Sequence, residues 1–401
     1  MRARHTAHNF QAFPVYSSAF VSDNELVLGG GGGASRSGIK NKLARTTRRL
    51  YHVGEDRSVD ILDEFELDAG EDAPMSMATN VQSHTLICGA NSTEELVAKS
   101  QNENCRAFAI KDHKLNFLRK KGTLDSDSIE EFQKVTVLSE DGSLVAAAGP
   151  NIVHLMSLPL LTLRATPIST AKEIYDIAFF GDTMVVVTTA ELLVYSIPSK
   201  QQKPSPSKSK KKGKLKATTL PEMKLQRTVE FPNSLNGVSG GTFRSGRYHP
   251  KDSSVFYTAV NTSPVRSRKS RSMPRQAFVC KWNTDTWTVD KFRKIGDRAL
   301  TCFDVSPDGQ YLGFGSSDLS IGLLDANTLT PVVSILKAHE FPPTTISFSP
   351  DSHLFVSGSA DNSVRVVTVP DSSSSSFSWA IIFLILTVLM VLLAVAAQKL
   401  L

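Results

Sequence analysis

The chain has 401 residues, 41% of them apolar, which is enough for a sizeable core. Its formal net charge is +6, but thirteen basic residues fall in two acid-free runs, 199–216 and 264–275, and without them the remainder stands at −7. That balance argues against a surface built to bind nucleic acid, and four scattered cysteines (Cys88, Cys105, Cys280, Cys302) give neither metal-ligand spacing nor a disulfide framework, so they read as buried free thiols.

Residues 1–9 are basic and polar without an apolar core, so no secretory signal is expected. A first strand-rich unit covers 13–67. It contains LVLGGGGGASRSGIKNKL, residues 26–43. Gly33 and Gly38 have the glycine spacing of a phosphate-binding loop. However, Ile39 stands where that loop needs lysine, and nothing suggests the helix whose N-terminus would meet a phosphate. A dinucleotide-binding reading fails for want of a βαβ unit. A loose linker stays open. Ordered glycines give up much entropy, so the run makes sense where backbone bends sharply and turns carbonyls or amides inward. Inward carbonyls would hold a cation, inward amides an anion. No carboxylate lies between Leu26 and Gly54, so a calcium cage is not expected, and K⁺ would need only backbone and hydroxyl oxygens.

Further units run over 75–118, over 135–163 with Ser-Glu-Asp-Gly142 as its turn, and over 174–197 with Phe-Gly-Asp182. The basic runs then fall between strands as solvated loops. Near the end the repeat is plain. Val305-Ser-Pro-Asp-Gly-Gln-Tyr-Leu-Gly-Phe-Gly-Ser-Ser-Asp318 aligns with Phe348-Ser-Pro-Asp-Ser-His-Leu-Phe-Val-Ser-Gly-Ser-Ala-Asp361, and Pro307 lies 43 residues before Pro350. In each copy an alternating strand enters a Ser-Pro-Asp turn, a second strand follows, and a Ser-x-x-Asp turn feeds a third. Such a period, with four short strands per unit, is the signature of a β-propeller. The pattern resembles the WD40 repeat, with departures. The closing Trp is Leu324 in one copy and Val367 in the next, Trp282 holds the position earlier, and the Gly-His pair is missing. Counting units gives an all-β, seven-bladed propeller over 1–370, with six or eight blades left open.

Residues 371–378 form a Ser-rich tether. Residues 379–397, WAIIFLILTVLMVLLAVAA, carry no charge and contain twelve Leu, Ile, Val or Phe. At about 1.5 Å per residue they reach roughly 28 Å, close to the thinner endoplasmic reticulum bilayer, and insertion is favoured by about −5 kcal/mol. A single transmembrane helix is expected there. Residues 398–401 would be a lumenal tail and the propeller would be cytosolic. The sequons at Asn91 and Asn261 should then stay unglycosylated.

The run from Gly30 to Asn41, in blade 1 of a propeller ahead of a C-terminal anchor, resembles the endoplasmic reticulum exchange factors for the Sar-type GTPase, the prolactin regulatory element-binding protein family. The resemblance implies a guanine-nucleotide exchange factor that starts COPII vesicle formation. It would work without bond chemistry and need no cofactor for it. The resemblance also implies that Gly30, Gly31, Gly32, Gly33 and Gly38 shape the loop and bind K⁺ through backbone oxygens, with no side-chain metal ligands. Ile39, Lys40 and Asn41 would be the GTPase-contacting tip, Ile39 as the apolar contact and Asn41 as a hydrogen bonder within the loop or to the partner. The long lumenal domain of some fungal relatives is not expected here. The basic loops could touch anionic lipid. The alternative is a non-catalytic WD40 scaffold anchored in the same membrane. A nucleic-acid-binding regulator is weaker still, and the nine histidines form no catalytic constellation.

Overall fold

The computed structural model describes residues 4–33, 38–48, 59–112, 114–198, 220–232, 235, 240–262, 275–370, 387 and 390. The chain divides into two units, residues 1–368 and 369–401. Among the described residues the first unit is all-β but for the five-residue helix Glu94–Ala98. It consists of seven antiparallel sheets, each of four strands save one with a fifth. The first strand of each sheet contacts the first strands of its two neighbours, and the last sheet contacts the first, so the sheets close into a ring.

Blade 1 runs Val15–Ser22, Glu25–Gly30, Lys42–Arg48 and Val59–Glu66, and blade 2 runs Ser76–Asn80, Thr85–Gly89, Cys105–Lys111 and Lys114–Lys121. Blade 3 starts at Val135–Leu138, blade 4 at Ile174–Phe180, blade 5 at Gly241–His249, blade 6 at Leu300–Val305 and blade 7 at Pro343–Phe348. Blade 7 takes its outer strand from the chain start: His5–Asn9 pairs with Ser363–Thr368 in the register His5↔Val367 to Asn9↔Ser363. The polar segment 1–9 thus contains a closing strand. Blade 4 also extends beyond its expected limits. Its outer strand, Lys224–Glu230, follows the basic run and pairs back onto Glu191–Ser196. The second run lies between Asp252–Thr262 and Ala277–Asn283 of blade 5. Residues 199–216 and 264–274 lie outside the described residues.

The core is a set of layers between neighbouring blades. Ile87 and Ala107 of blade 2 pack with Val145, Ala147 and Met156 of blade 3, all fully buried. Second strands are buried on both faces, which is why they read as unbroken apolar runs such as LVAAA and TMVVVT. The turns obey the expected chemistry. Ser306, Ser349 and Ser139 each bond an aspartate two residues on, Asp308, Asp351 and Asp141, and receive an amide five residues on at 2.9–3.0 Å. The four cysteines are free. Burial pushes the thiols of Cys88, Cys105 and Cys280 up to about 12, and that of Cys302 to about 11, so all stay protonated.

In blade 7 Ala338-His339 stands in place of the missing Gly-His pair. The His339 ring lies 2.7 Å from both Ser363 Oγ and Ser357 Oγ, and 3.6 Å from Asp361. In blade 5 Trp282 is buried and donates to Thr258 Oγ1 at 2.9 Å.

The second unit contributes helical Thr387 and Met390; the remainder of the tether 371–378, the span 379–397 and the tail 398–401 lies outside the described residues. No helix among the described residues is long and apolar enough to cross a membrane.

Burial lowers the pKa of His339, and likewise of His154 and His249. An unfolded histidine takes its proton near 6.5, whereas the folded ones resist to lower pH, so acid favours the unfolded chain. The melting temperature should fall between pH 7.5 and pH 5.5, and His339→Gln should reduce that fall. Calorimetry that finds the same slope in the variant would show that His339 is not part of it.

Candidate functional site: the glycine-rich loop of blade 1

Glu25–Gly30 and Lys42–Arg48 are neighbours in one hairpin, with Gly30 opposite Lys42. Residues 31–41 are the connection between them. Among the described residues no helix opens at this connection, so the phosphate-loop reading finds no support in them. Gly29 and Gly30 are strand residues, and a side chain on Gly30 would strike the Pro14 carbonyl. Gly31 turns the chain out of the strand at φ +136°, with its N–H bonded to Pro14 O at 3.0 Å; a side chain there would strike the Asn41 backbone. Gly33 sits at φ +69°, a conformation glycine adopts without penalty. Gly32 is half-buried, Gly38 is exposed and also has positive φ, and residues 34–37 lie outside the described residues.

Asn41 closes the loop. Its side chain is buried and makes three bonds. Nδ2 donates to Gly33 O at 2.9 Å and to Glu71 O at 2.7 Å, and Oδ1 accepts from Gly33 N–H at 2.9 Å. Its carbonyl accepts from Leu67 N–H at 2.9 Å. Of the two roles open to Asn41 in the sequence, the one within the loop is realised. Lys40 stands outward, its side chain 70% exposed and paired with Glu66 at 2.9 Å. Such an exposed pair contributes little to stability. Ile39 is half-buried. The described part of the loop is therefore a tied structure, and a loose linker is not what it is.

Two residues that the sequence did not flag support it. Glu71 offers the carbonyl that Asn41 takes. Asp72 puts its carboxylate within 3.4 Å of where a side chain on Gly33 would begin, and it bonds Ala73 N–H at 2.7 Å. Both belong to the connection from blade 1 to blade 2, thirty residues from Asn41, with no spacing to mark them. The Asp72 carboxylate beside Gly33 is a hard oxygen donor. Among the described residues no group of three or more His, Cys, Asp or Glu could hold a metal ion.

The mouth of the central channel lies at the same end of the ring. Lys134 and Arg244 sit over the Tyr175 ring, 5.5 and 5.1 Å from its centre. Arg247 pairs with Asp176 and Asp304 deeper in. Cys302 lines this cavity of about 190 Å³, and burial keeps its thiol protonated.

Fold, repeat and turns define the class: a seven-bladed β-propeller with WD40-like repeats. The family model "WD domain, G-beta repeat" matches residues 330–367, the stretch that runs through His339 and Asp361. The crystal structure of Raptor from Chaetomium thermophilum shares the fold. It is 12% identical with a TM-score of 0.62, over 92% of this chain and 29% of that one.

Sequence relatives narrow the class. SED4 of Candida glabrata is 25% identical over 92% of this chain and 32% of its own length. The guanine nucleotide-exchange factor SEC12 of Candida glabrata is 24% identical over 93% of this chain and 74% of its own. The guanine nucleotide-exchange factor SEC12 of Rattus norvegicus is 21% identical over 84% and 82%. This chain is a seven-bladed propeller similar in sequence to SEC12 and SED4, and it spans about a third of the length of SED4.

Asn41→Ala removes three hydrogen bonds and leaves the carbonyls of Gly33 and Glu71 without this donor. We expect it to cost about 2–3 kcal/mol locally and to speed amide exchange at Gly33, measured by hydrogen-exchange mass spectrometry or NMR. Unchanged protection at Gly33 would show that Asn41 does not hold the loop.

Proposed function

We propose that this chain is a guanine-nucleotide exchange factor for a small GTPase of the Sar type, acting at the endoplasmic reticulum membrane to start COPII vesicle formation. The observation that carries the reading is the tied glycine-rich loop, in a chain whose relatives named as exchange factors match 84–93% of it. Ile39 and Lys40 are the contacting tip. Asn41, with Gly30, Gly31, Gly32, Gly33 and Gly38, keeps that tip in one shape. A pre-shaped loop loses little entropy on binding, so more of the contact energy is left to act on the partner.

No bond is made or broken. The factor binds the nucleotide-free GTPase more tightly than the nucleotide-bound form, and that difference lowers the barrier to GDP release. Reciprocity fixes the rest: bound nucleotide weakens factor binding by the factor through which the propeller weakens nucleotide binding. Ile39 would wedge against the nucleotide-sensing segment of the GTPase, and Lys40 would add a charge at the edge of the contact. A potassium ion held by backbone oxygens of Gly31, Gly32 and Gly33 would supply further rigidity and no chemistry.

The apolar run 379–397 would anchor the propeller in the membrane, on its cytosolic side. The basic runs 199–216 and 264–275 would then meet anionic lipid at about 1 kcal/mol per basic residue near the surface. This reading needs no nucleic-acid contact.

The test is release of labelled GDP from a Sar-type GTPase, with the full chain in nanodiscs, in potassium and in sodium buffer. We expect acceleration of at least tenfold, a loss of most of it in Ile39→Ala, and a smaller rate in sodium. Folded protein that accelerates nothing would leave a membrane-anchored scaffold as the better reading.

A further inference from the structure

We infer that the buried ion pair of Glu71 and Arg106 sets the shape of the glycine-rich loop from the neighbouring blade. As a positioning element for the GTPase contact, the pair rests on the function proposed above; as a brace on the loop, it does not.

The links are continuous. Arg106 is the second residue of Cys105–Lys111, a blade 2 strand paired on both sides, with Arg106 opposite Cys88 and opposite Lys120. Both of its terminal nitrogens donate to Glu71: Nη1 to Oε2 at 2.6 Å and Nη2 to Oε1 at 2.7 Å. Arg106 is 4% exposed and Glu71 5%. Glu71 Oε2 also accepts from Asp68 N–H at 3.2 Å, while Glu71 N–H donates to Asp68 O at 3.1 Å, so carboxylate and backbone of this turn are fixed together. The carbonyl of the same Glu71 is the 2.7 Å acceptor for Asn41 Nδ2, and Asn41 in turn holds both Gly33 N–H and Gly33 O. Leu67 N–H on Asn41 O ties the start of the same segment. A paired strand of blade 2 thus reaches a glycine of blade 1 through three side chains, those of Arg106, Glu71 and Asn41.

A buried ion pair is a poor device for stability alone, because desolvation offsets most of the attraction and apolar side chains of similar volume serve as well or better. A two-pronged guanidinium–carboxylate contact does fix direction. Directional control has a clear use here, because the polyglycine run has almost no side chains of its own to define its shape.

The test uses the double variant Glu71→Met/Arg106→Met, which removes both charges together, and Arg106→Lys, which replaces the fork with a single point charge. Amide exchange at Gly33 and Leu67 reports the brace whether or not the chain acts on a GTPase. We expect the double variant to melt within a few degrees of wild type, with exchange at both amides at least tenfold faster. Arg106→Lys should fall between. In the same preparations, GDP release should drop at least fivefold while exchange at amides of blades 4 and 5 stays unchanged. Folded double variant with wild-type protection at Gly33 and Leu67 would overturn the brace. If the double variant does not fold, unchanged protection in Arg106→Lys would overturn it equally. Lost protection with undiminished GDP release would overturn the positioning role. Absence of GDP release with wild type would count against the function and leave the amide result to judge the brace.

Discussion

Ring closure is the constraint on which the rest of this molecule depends. A line of twisted four-stranded sheets would leave apolar faces bare at both ends. Here the ends meet inside blade 7, where His5–Asn9 completes a sheet whose other three strands come from 343–368. The register covers five residue pairs, and the chain terminus is held in the ring by backbone hydrogen bonds more than by side chains, since the strand alternates between exposed and half-buried positions. Blade 1 follows directly from that strand. Phe13 and Val15 of blade 1 pack with Val356, Val364 and Val366 of blade 7, so the seam is also a layer of core.

The glycine-rich loop stands at the first connection after this seam. One root is the strand that begins at Val15, because Gly31 bonds back to Pro14. Its other support comes across the junction with blade 2. The loop is therefore mounted on rigid parts on both sides, while its own sequence is nearly without side chains. That combination suits a device that must approach a partner closely with backbone and still keep one shape. A larger side chain at Gly31 or Gly30 would collide with neighbouring backbone, so the glycines answer to crowding as well as to φ. The polar network continues outward. Asp72 N–H bonds Asn91 O, and the Asn91 side chain is fixed by Asn102 and by the carbonyl of Glu131, all within the connections of blade 2. A push on the tip is met by a chain of buried, mutually bonded groups that cannot yield one at a time without cost.

The architecture was legible because propeller blades repeat their turn chemistry. Ser-Pro-Asp at 306–308 and 349–351 sits at equal spacing, and the same hydroxyl-to-aspartate bond recurs at Ser139. What escaped notice were outer strands. HTAHN and KLQRTVE carry no apolar alternation, since an outer strand buries little, and the second is cut from its blade by a long basic insertion. His339 was hidden by the loss of its preceding glycine, yet its contacts with Ser357 and Ser363 follow from the structure at once. In the site, the glycine run and Asn41 were visible as neighbours in sequence. Glu71 and Arg106 were not, because their meeting depends on blade-to-blade packing, and a single Glu or Arg at a strand end looks like any solvated charge.

An exchange factor has to distinguish between the nucleotide states of its GTPase. The most direct measurement is the affinity of this chain for a Sar-type GTPase, nucleotide-free and GDP-loaded, by titration calorimetry at one salt concentration. We expect binding at least about 100-fold tighter to the nucleotide-free form. Equal affinity for the two would contradict it, however tight the binding, because a partner that does not discriminate cannot shift the equilibrium.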